Sequence, residues 1–237
     1  MTAAISIKRM TVTRSGRTIV QDVNADISQS RWFGVVGANG SGKTTLLRAV
    51  AGRLPIAIGS CSIFGEECAQ DRSLRAKAIG FAPPIERLPT SLRAIDLLEL
   101  AGDRVSVQQQ RNPALWKALG ITELMDTPIG ECSSGMRQRV ALVLAFALPS
   151  RIVILDEPFN WLDPVAAFDT RSALATMVED GLTLITALHD ITTLCGFCHS
   201  GVVMAKGGIS LQLDETTLRA GKTDAARFES EMVSALR

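Results

Sequence analysis

The stretch "GANGSGKT" at residues 37–44 fits the spacing G-x-x-x-x-G-K-[ST]. It follows the apolar run "WFGVVG" and opens a segment with helical spacing, the setting in which this pattern binds phosphate. Its glycines let backbone N–H groups turn toward one point without a Cβ in the way. The helix N-terminus behind them adds partial positive charge. Lys43 is placed to reach the β- and γ-phosphates of a nucleotide, and the Thr44 hydroxyl to ligate Mg2+.

A second group completes such a site. "RIVILDEP" is an apolar strand that ends in Asp156 and Glu157. Open α/β sheets place their ligand chemistry at the carboxyl ends of strands. There Asp156 can hold Mg2+ through water, and Glu157 can polarise an attacking water as general base. Adjacent acids alone read as a solvated strand end; the upstream phosphate pattern reverses that preference. Ahead of this strand, "CSSGMRQR" at residues 132–139 starts a helix with serines and one glycine. Serine caps helices anywhere, so the stretch is either a plain capped helix or a phosphate-binding helix end.

These residues need a scaffold. "ISIKRMTV", the turn "RSGR" and "TIVQDVNADI" alternate as a hairpin does. "SGKTTLLRAVAG" has helical spacing and stops at Gly52. "GSCSIFGEE" is a further short strand with a turn. Roughly over residues 85–149, "SLRAIDLLELAG", "NPALWKALG" and "GMRQRVALVLAFAL" carry helical periodicity between proline and glycine stops, which predicts an inserted helical lobe. "LTLITALHD" is a second buried strand, ending at His189, and "DPVAAFDTRSALATMVEDG" is the helix before it. The polar tail, roughly 214–237, reads as helical. Strand–helix–strand alternation predicts a single α/β domain over 1–237 with a mainly parallel sheet and helices on both faces.

Composition excludes other classes. With 237 residues, 46% hydrophobic and 21% charged, the chain can bury a substantial core. A net charge of +1 gives no electrostatic case for nucleic acid or an anionic membrane surface. The longest apolar runs fall short of the roughly 18 residues a membrane span needs, and the N-terminus lacks the apolar core of a signal peptide. Five cysteines fit a reducing compartment better than a disulfide framework. "CGFCH" at residues 195–199 matches the spacing of covalent haem attachment and of a redox dithiol. Without an export signal, it reads as structural cysteines.

The order of these motifs resembles the ATP-binding cassette (ABC) ATPases over most of the chain. Gly37, Ala38, Asn39, Gly40, Ser41, Gly42, Lys43, Thr44 and Thr45 match the Walker A loop, and "IVILDEP" the Walker B strand with its catalytic Glu157. "NWLD" at 160–163 resembles the D-loop, and His189 the switch histidine. "CSSGMRQR" stands where the family has its LSGGQ signature, keeping Ser133 and Gly135 but with Ser134 for glycine and Met136 for glutamine. The resemblance implies a P-loop NTPase core with an N-terminal antiparallel β subdomain and an inserted helical subdomain. It implies ATP and Mg2+, the metal held by Thr44 and Asp156, and a head-to-tail pair with a second subunit, identical or different. In that pair Ser133, Ser134 and Gly135 complete the other subunit's site. It also implies a separate integral-membrane permease and a cytoplasmic place on the inner face of the membrane. The SSGM form is similar to that of exporters with separate membrane chains.

Three positions depart from the pattern. Pro84 stands where the Q-loop glutamine is expected, so no amide reaches Mg2+ or water there; Glu86 is either its substitute or a surface acid. Arg14 replaces the aromatic that stacks on adenine, in a chain with no tyrosine. It is either a stacking guanidinium or a solvated turn residue. Trp161 fills a usually small D-loop position, and packs either across the pair or into its own core.

Overall fold

A computed structural model describes residues 3–236; Met1, Thr2 and Arg237, at the ends of the expected first strand and tail, lie outside them. A hairpin opens the chain: β1 (Ala3–Arg14) and β2 (Arg17–Ser28) pair antiparallel around a turn at Ser15 and Gly16. Both are longer than the alternating pattern suggests. β3 (Trp32–Gly37) leads to α1 (Lys43–Val50), and β4 (Ile58–Ile63) and β5 (Glu66–Glu67) join the hairpin in a sheet ordered β2-β1-β4-β5. Next come α2 (Arg72–Ala78) and the short β6 (Ile79–Phe81).

The helical part holds α3 (Ala94–Ala101), α4 (Val105–Arg111), α5 (Pro113–Ala118) and α6 (Ser134–Leu144). β7 (Ile152–Asp156), α7 (Pro164–Glu179), β8 (Thr183–Leu188) and α8 (Ile191–Phe197) follow. The chain closes with β9 (Ser200–Ala205), β10 (Gly208–Leu213), α9 (Glu215–Thr223) and α10 (Ala225–Leu236). The main sheet runs β10-β9-β3-β8-β7-β6; every pairing is parallel except β9 with β10. This is the expected α/β architecture.

Burial explains the layers. β3 and β8 are buried at every residue, as strands covered on both faces must be. Alternate residues serve different cores. Phe33, Val35, Ile152, Ile154 and Ile185 pack with α1 and the antiparallel sheet. Trp32, Val36, Val153, Leu155 and Leu184 pack with the helices on the opposite face. Thus one face is covered partly by a second sheet. Trp32 is fully buried, and its indole N–H donates to the Thr186 hydroxyl at 2.8 Å. Among the described residues, no helix is long and apolar enough to cross a membrane.

The "CGFCH" segment is spent on structure. Cys198 is buried against β3, and the His199 Nδ1 accepts from the Trp32 backbone N–H at 3.1 Å. Burial raises the Cys198 thiol well above its ordinary range, which keeps it an unreactive thiol rather than a thiolate.

Candidate active site

The strand order creates the site. β3, β8 and β7 are parallel neighbours, so their carboxyl ends lie along one edge. The first releases the glycine loop, the second His189, and the third Asp156 and Glu157. Residues from opposite parts of the sequence converge because parallel neighbours end at the same level.

In the glycine loop, Gly42 caps α1 with φ 107°, a left-handed conformation that a side chain would strain. The Ser41 N–H donates to the Ala38 carbonyl at 3.1 Å, closing the turn. Ala38, Asn39 and Gly40 form its exposed rim, while Ser41, Lys43 and Thr45 are buried. The Lys43 ammonium donates to the carbonyls of Gly37 at 2.7 Å and Ala38 at 3.3 Å. Burial lowers its pKa, against the opposing pull of Glu157 and Asp156. An anion would restore what burial removes.

Asp156 faces the same loop. The Thr44 hydroxyl is near enough to stabilise its charged form, while its Oδ1 is buried without a hydrogen-bond partner. A hydroxyl and a carboxylate with an unsatisfied oxygen form a hard-oxygen set that fits Mg2+, the remaining positions going to water and phosphate. Desolvation raises the Asp156 pKa, the nearby Thr44 hydroxyl opposes this, and Glu157 adds to it. The folded state therefore penalises the charged carboxylate. We expect Asp156→Asn to raise the thermal midpoint of the protein measured without metal or nucleotide at pH 8, since the amide carries no such penalty. Below pH ~3.9, the ordinary aspartate value, both states of the wild type are protonated and the gain disappears. The variant should also lose the Mg2+-dependent part of nucleotide stabilisation. A lower midpoint at pH 8 would show that the carboxylate is held by partners rather than penalised.

Glu157 adopts φ 52°, uncommon for a residue with a side chain. Both its oxygens are engaged: Oε1 lies 2.5 Å from His189 Nε2, and Oε2 accepts from Asn160 Nδ2 at 2.8 Å. Backbone strain of this kind persists where the surroundings over-determine it. Here His189 on β8's exit and Asn160 in the following turn aim the carboxylate.

Thr44, Asp156, Glu157 and Asn160 share a cleft of about 220 Å³. Its walls include Thr44, Arg48, Asp156, Glu157, Asn160 and Trp161, with Pro84 and Glu86 opposite. Glu86 is thus at the cleft, though exposed. Trp161 is 67% exposed with φ 68°, so it does not pack into its own core. Arg14 sits exposed at the hairpin turn, paired with Arg17. Ser133, Ser134 and Gly135 are not among the cleft's walls. Ser133 caps α6, its hydroxyl accepting from the Met136 N–H at 3.2 Å, and Ser134 is the first helical residue with ordinary backbone angles. The glycine-to-serine change therefore costs no strain. Gly135 is different: a Cβ there would lie 2.7 Å from the Trp161 carbonyl oxygen. Sequence reasoning missed Gln138, a buried wall residue whose amide donates to the Pro158 carbonyl at 3.0 Å. No spacing signal marks it.

The sequence profile described as ABC transporter matches residues 20–160, which hold the glycine loop, the α6 helix and the two acids. The chain belongs to the ABC transporter family. Among curated ABC relatives, it is similar to the sulfate/thiosulfate import ATP-binding protein CysA of Xanthomonas campestris pv. campestris: 32% identical over 231 residues, 92% of this chain and 66% of that one. Among solved ABC structures, it resembles an ATP-binding subunit of an ABC transporter, with a TM-score of 0.84 at 22% identity over 98% of this chain and 99% of that one. It also resembles the bacterial ABC transporter cassette MJ0796, solved as a dimer, with a TM-score of 0.76 at 22% identity over 89% of this chain and 98% of that one. ABC cassettes bind ATP, pair with one another and work with membrane subunits.

Proposed function

We propose that the chain is an ATP-hydrolysing ABC subunit that closes with a second subunit on two MgATP and drives a separate membrane-spanning permease. One observation carries this reading: Thr44, Asp156 and Glu157 line one cleft, with the Asp156 Oδ1 buried and unpartnered, His189 bonded to Glu157, and Lys43 within electrostatic reach of both acids. The α6 end at Ser133 is exposed elsewhere on the surface, which is where a mate's γ-phosphate would meet it.

In this reading the residues from Gly37 to Thr45 wrap the phosphates with N–H groups, and Lys43 moves its donors from two carbonyls to the β- and γ-oxygens. Thr44 and Asp156 would hold Mg2+, which when bound would supply positive charge against the phosphate oxygens. His189 turns from Glu157 to the γ-phosphate. That frees the Glu157 Oε1 to accept a proton from water, while Asn160 keeps the other oxygen fixed. Ser133, Ser134 and Gly135 of each subunit complete the other's site. Hydrolysis removes the ligand that joins the subunits.

The permease fits a second groove, where Leu97, Leu100, Leu144 and Leu148 are rimmed by Arg53, Lys77 and Arg87. Leu100 is 75% exposed and Leu148 51%, an apolar surface suited to a partner. The chain would then work at the cytoplasmic face of the membrane. The test is MgATP hydrolysis by the purified chain, alone and with its permease. No hydrolysis in either case would end the reading. A second reading has Pro84 in its favour: with no side-chain amide at that position, the chain would be the slower subunit of a mixed pair, recognised by a low kcat that a different ABC subunit raises.

A further inference from the structure

Three contacts join the start of α6 to the loop that carries Glu157. The Gln138 amide donates to the Pro158 carbonyl at 3.0 Å from a buried position. The Arg139 guanidinium pairs with Asp163 at 2.9 Å. Gly135 lies so close to the Trp161 carbonyl that no side chain fits between them. The loop thus contacts one helix at three places between residues 158 and 163. Its two left-handed residues, Glu157 and Trp161, need such support. Phe159 gives the loop a separate hold, with its ring 6.5 Å from that of Trp32.

We propose that Gln138 is a positioning residue that ties the phosphate-facing end of α6 to the catalytic loop of the same subunit. Gln138 is the central link because it is buried and bonds the residue next to Glu157. Arg139 and Asp163 are partly exposed, and exposed ion pairs hold little. Ser133 lies five residues before Gln138, roughly 7–8 Å along the helix. In the paired state of the proposed function, on which this kinetic consequence rests, Ser133 feels the mate's nucleotide while Glu157 serves its own. Gln138 therefore couples the two sites: a nucleotide that seats Ser133 in one site sets the aim of Glu157 in the other.

The test is Gln138→Leu in the full chain, which keeps bulk and removes the donor. Amide hydrogen exchange over residues 157–163 should quicken by about tenfold or more, with residues 43–50 unchanged. In steady-state MgATP hydrolysis, KM and nucleotide affinity should stay within twofold while kcat falls ten- to a hundredfold, since a misplacement of about 1 Å costs on the order of 10²-fold. The Hill coefficient for ATP should fall toward one. Wild-type exchange rates in the loop would overturn the tether, whatever the chain hydrolyses. A fall in kcat matched by lost affinity or lost global stability would overturn the positioning role and leave a packing one. If the wild type itself does not hydrolyse MgATP, the proposed function fails, and the exchange measurement still decides the tether. Should Gln138→Leu not fold, Gln138→Glu keeps the shape of the side chain and removes the same donor to the Pro158 carbonyl; wild-type exchange over residues 157–163 in that variant would overturn the tether.

Discussion

Glu157→Gln should leave ATP bound and stop its turnover. The amide matches the carboxylate in shape and can still accept from Asn160, now 2.8 Å from Oε2. It cannot take a proton from water, and general-base contributions are typically worth about 10²–10⁴ in rate. ATP affinity should change by no more than a few-fold, because no phosphate contact involves Glu157 in the proposed geometry. The bound nucleotide then persists, and so does the pair it joins. Sedimentation at saturating MgATP should show the variant as a dimer and the wild type as mostly monomer during turnover. Wild-type rates in the variant would remove Glu157 from its role. A variant that stays monomeric in the same conditions would remove the shared nucleotide.

Lys43→Ala should fail one step earlier. Lys43 is 4% exposed, and its ammonium bonds two carbonyls of its own loop. It is a buried cation whose pKa burial has lowered, so a phosphate is the partner that gains most from it. Removing one member of a buried ion pair costs about 3–5 kcal/mol, on the order of 10²–10⁴-fold in affinity. Titration calorimetry with MgATP should show this loss, and no dimer should form at nucleotide concentrations that saturate the wild type. Unchanged affinity would mean that the backbone N–H groups alone hold the triphosphate. The two variants separate the functions: one binds and does not turn over, the other does not bind.

Much of this was legible because the chemistry is local in sequence. The turn of residues 37–44 needs its glycines within eight positions, and Asp156 and Glu157 are neighbours on one strand. The buried strands β3, β7 and β8 announce themselves by unbroken apolar runs. The three-residue β6 and the edge strand β10 do not, because short or half-covered strands leave little pattern. α2 is similarly hidden: it is seven residues long and buries Arg75 rather than an apolar stripe. At the site, what escaped were contacts between segments. Gln138 meets a carbonyl 20 positions away, and its spacing within "MRQR" carries no sign of that. The left-handed angles of Glu157 and Trp161 were equally silent, since the loop imposes them and the residue types do not ask for them. Ser134 was the reverse: a departure from the family pattern that proved conformationally ordinary.

The exposed Trp161 gives the chain its own optical gauge. Trp32 and Trp116 are buried, at 0% and 3% exposure, and there is no tyrosine. Ultraviolet excitation therefore reports three indoles, of which Trp161 alone emits from water. It stands on the cleft wall beside Glu157. When a second subunit covers it, the red edge of the emission should shift to shorter wavelength, so subunit closure can be timed without attaching a dye.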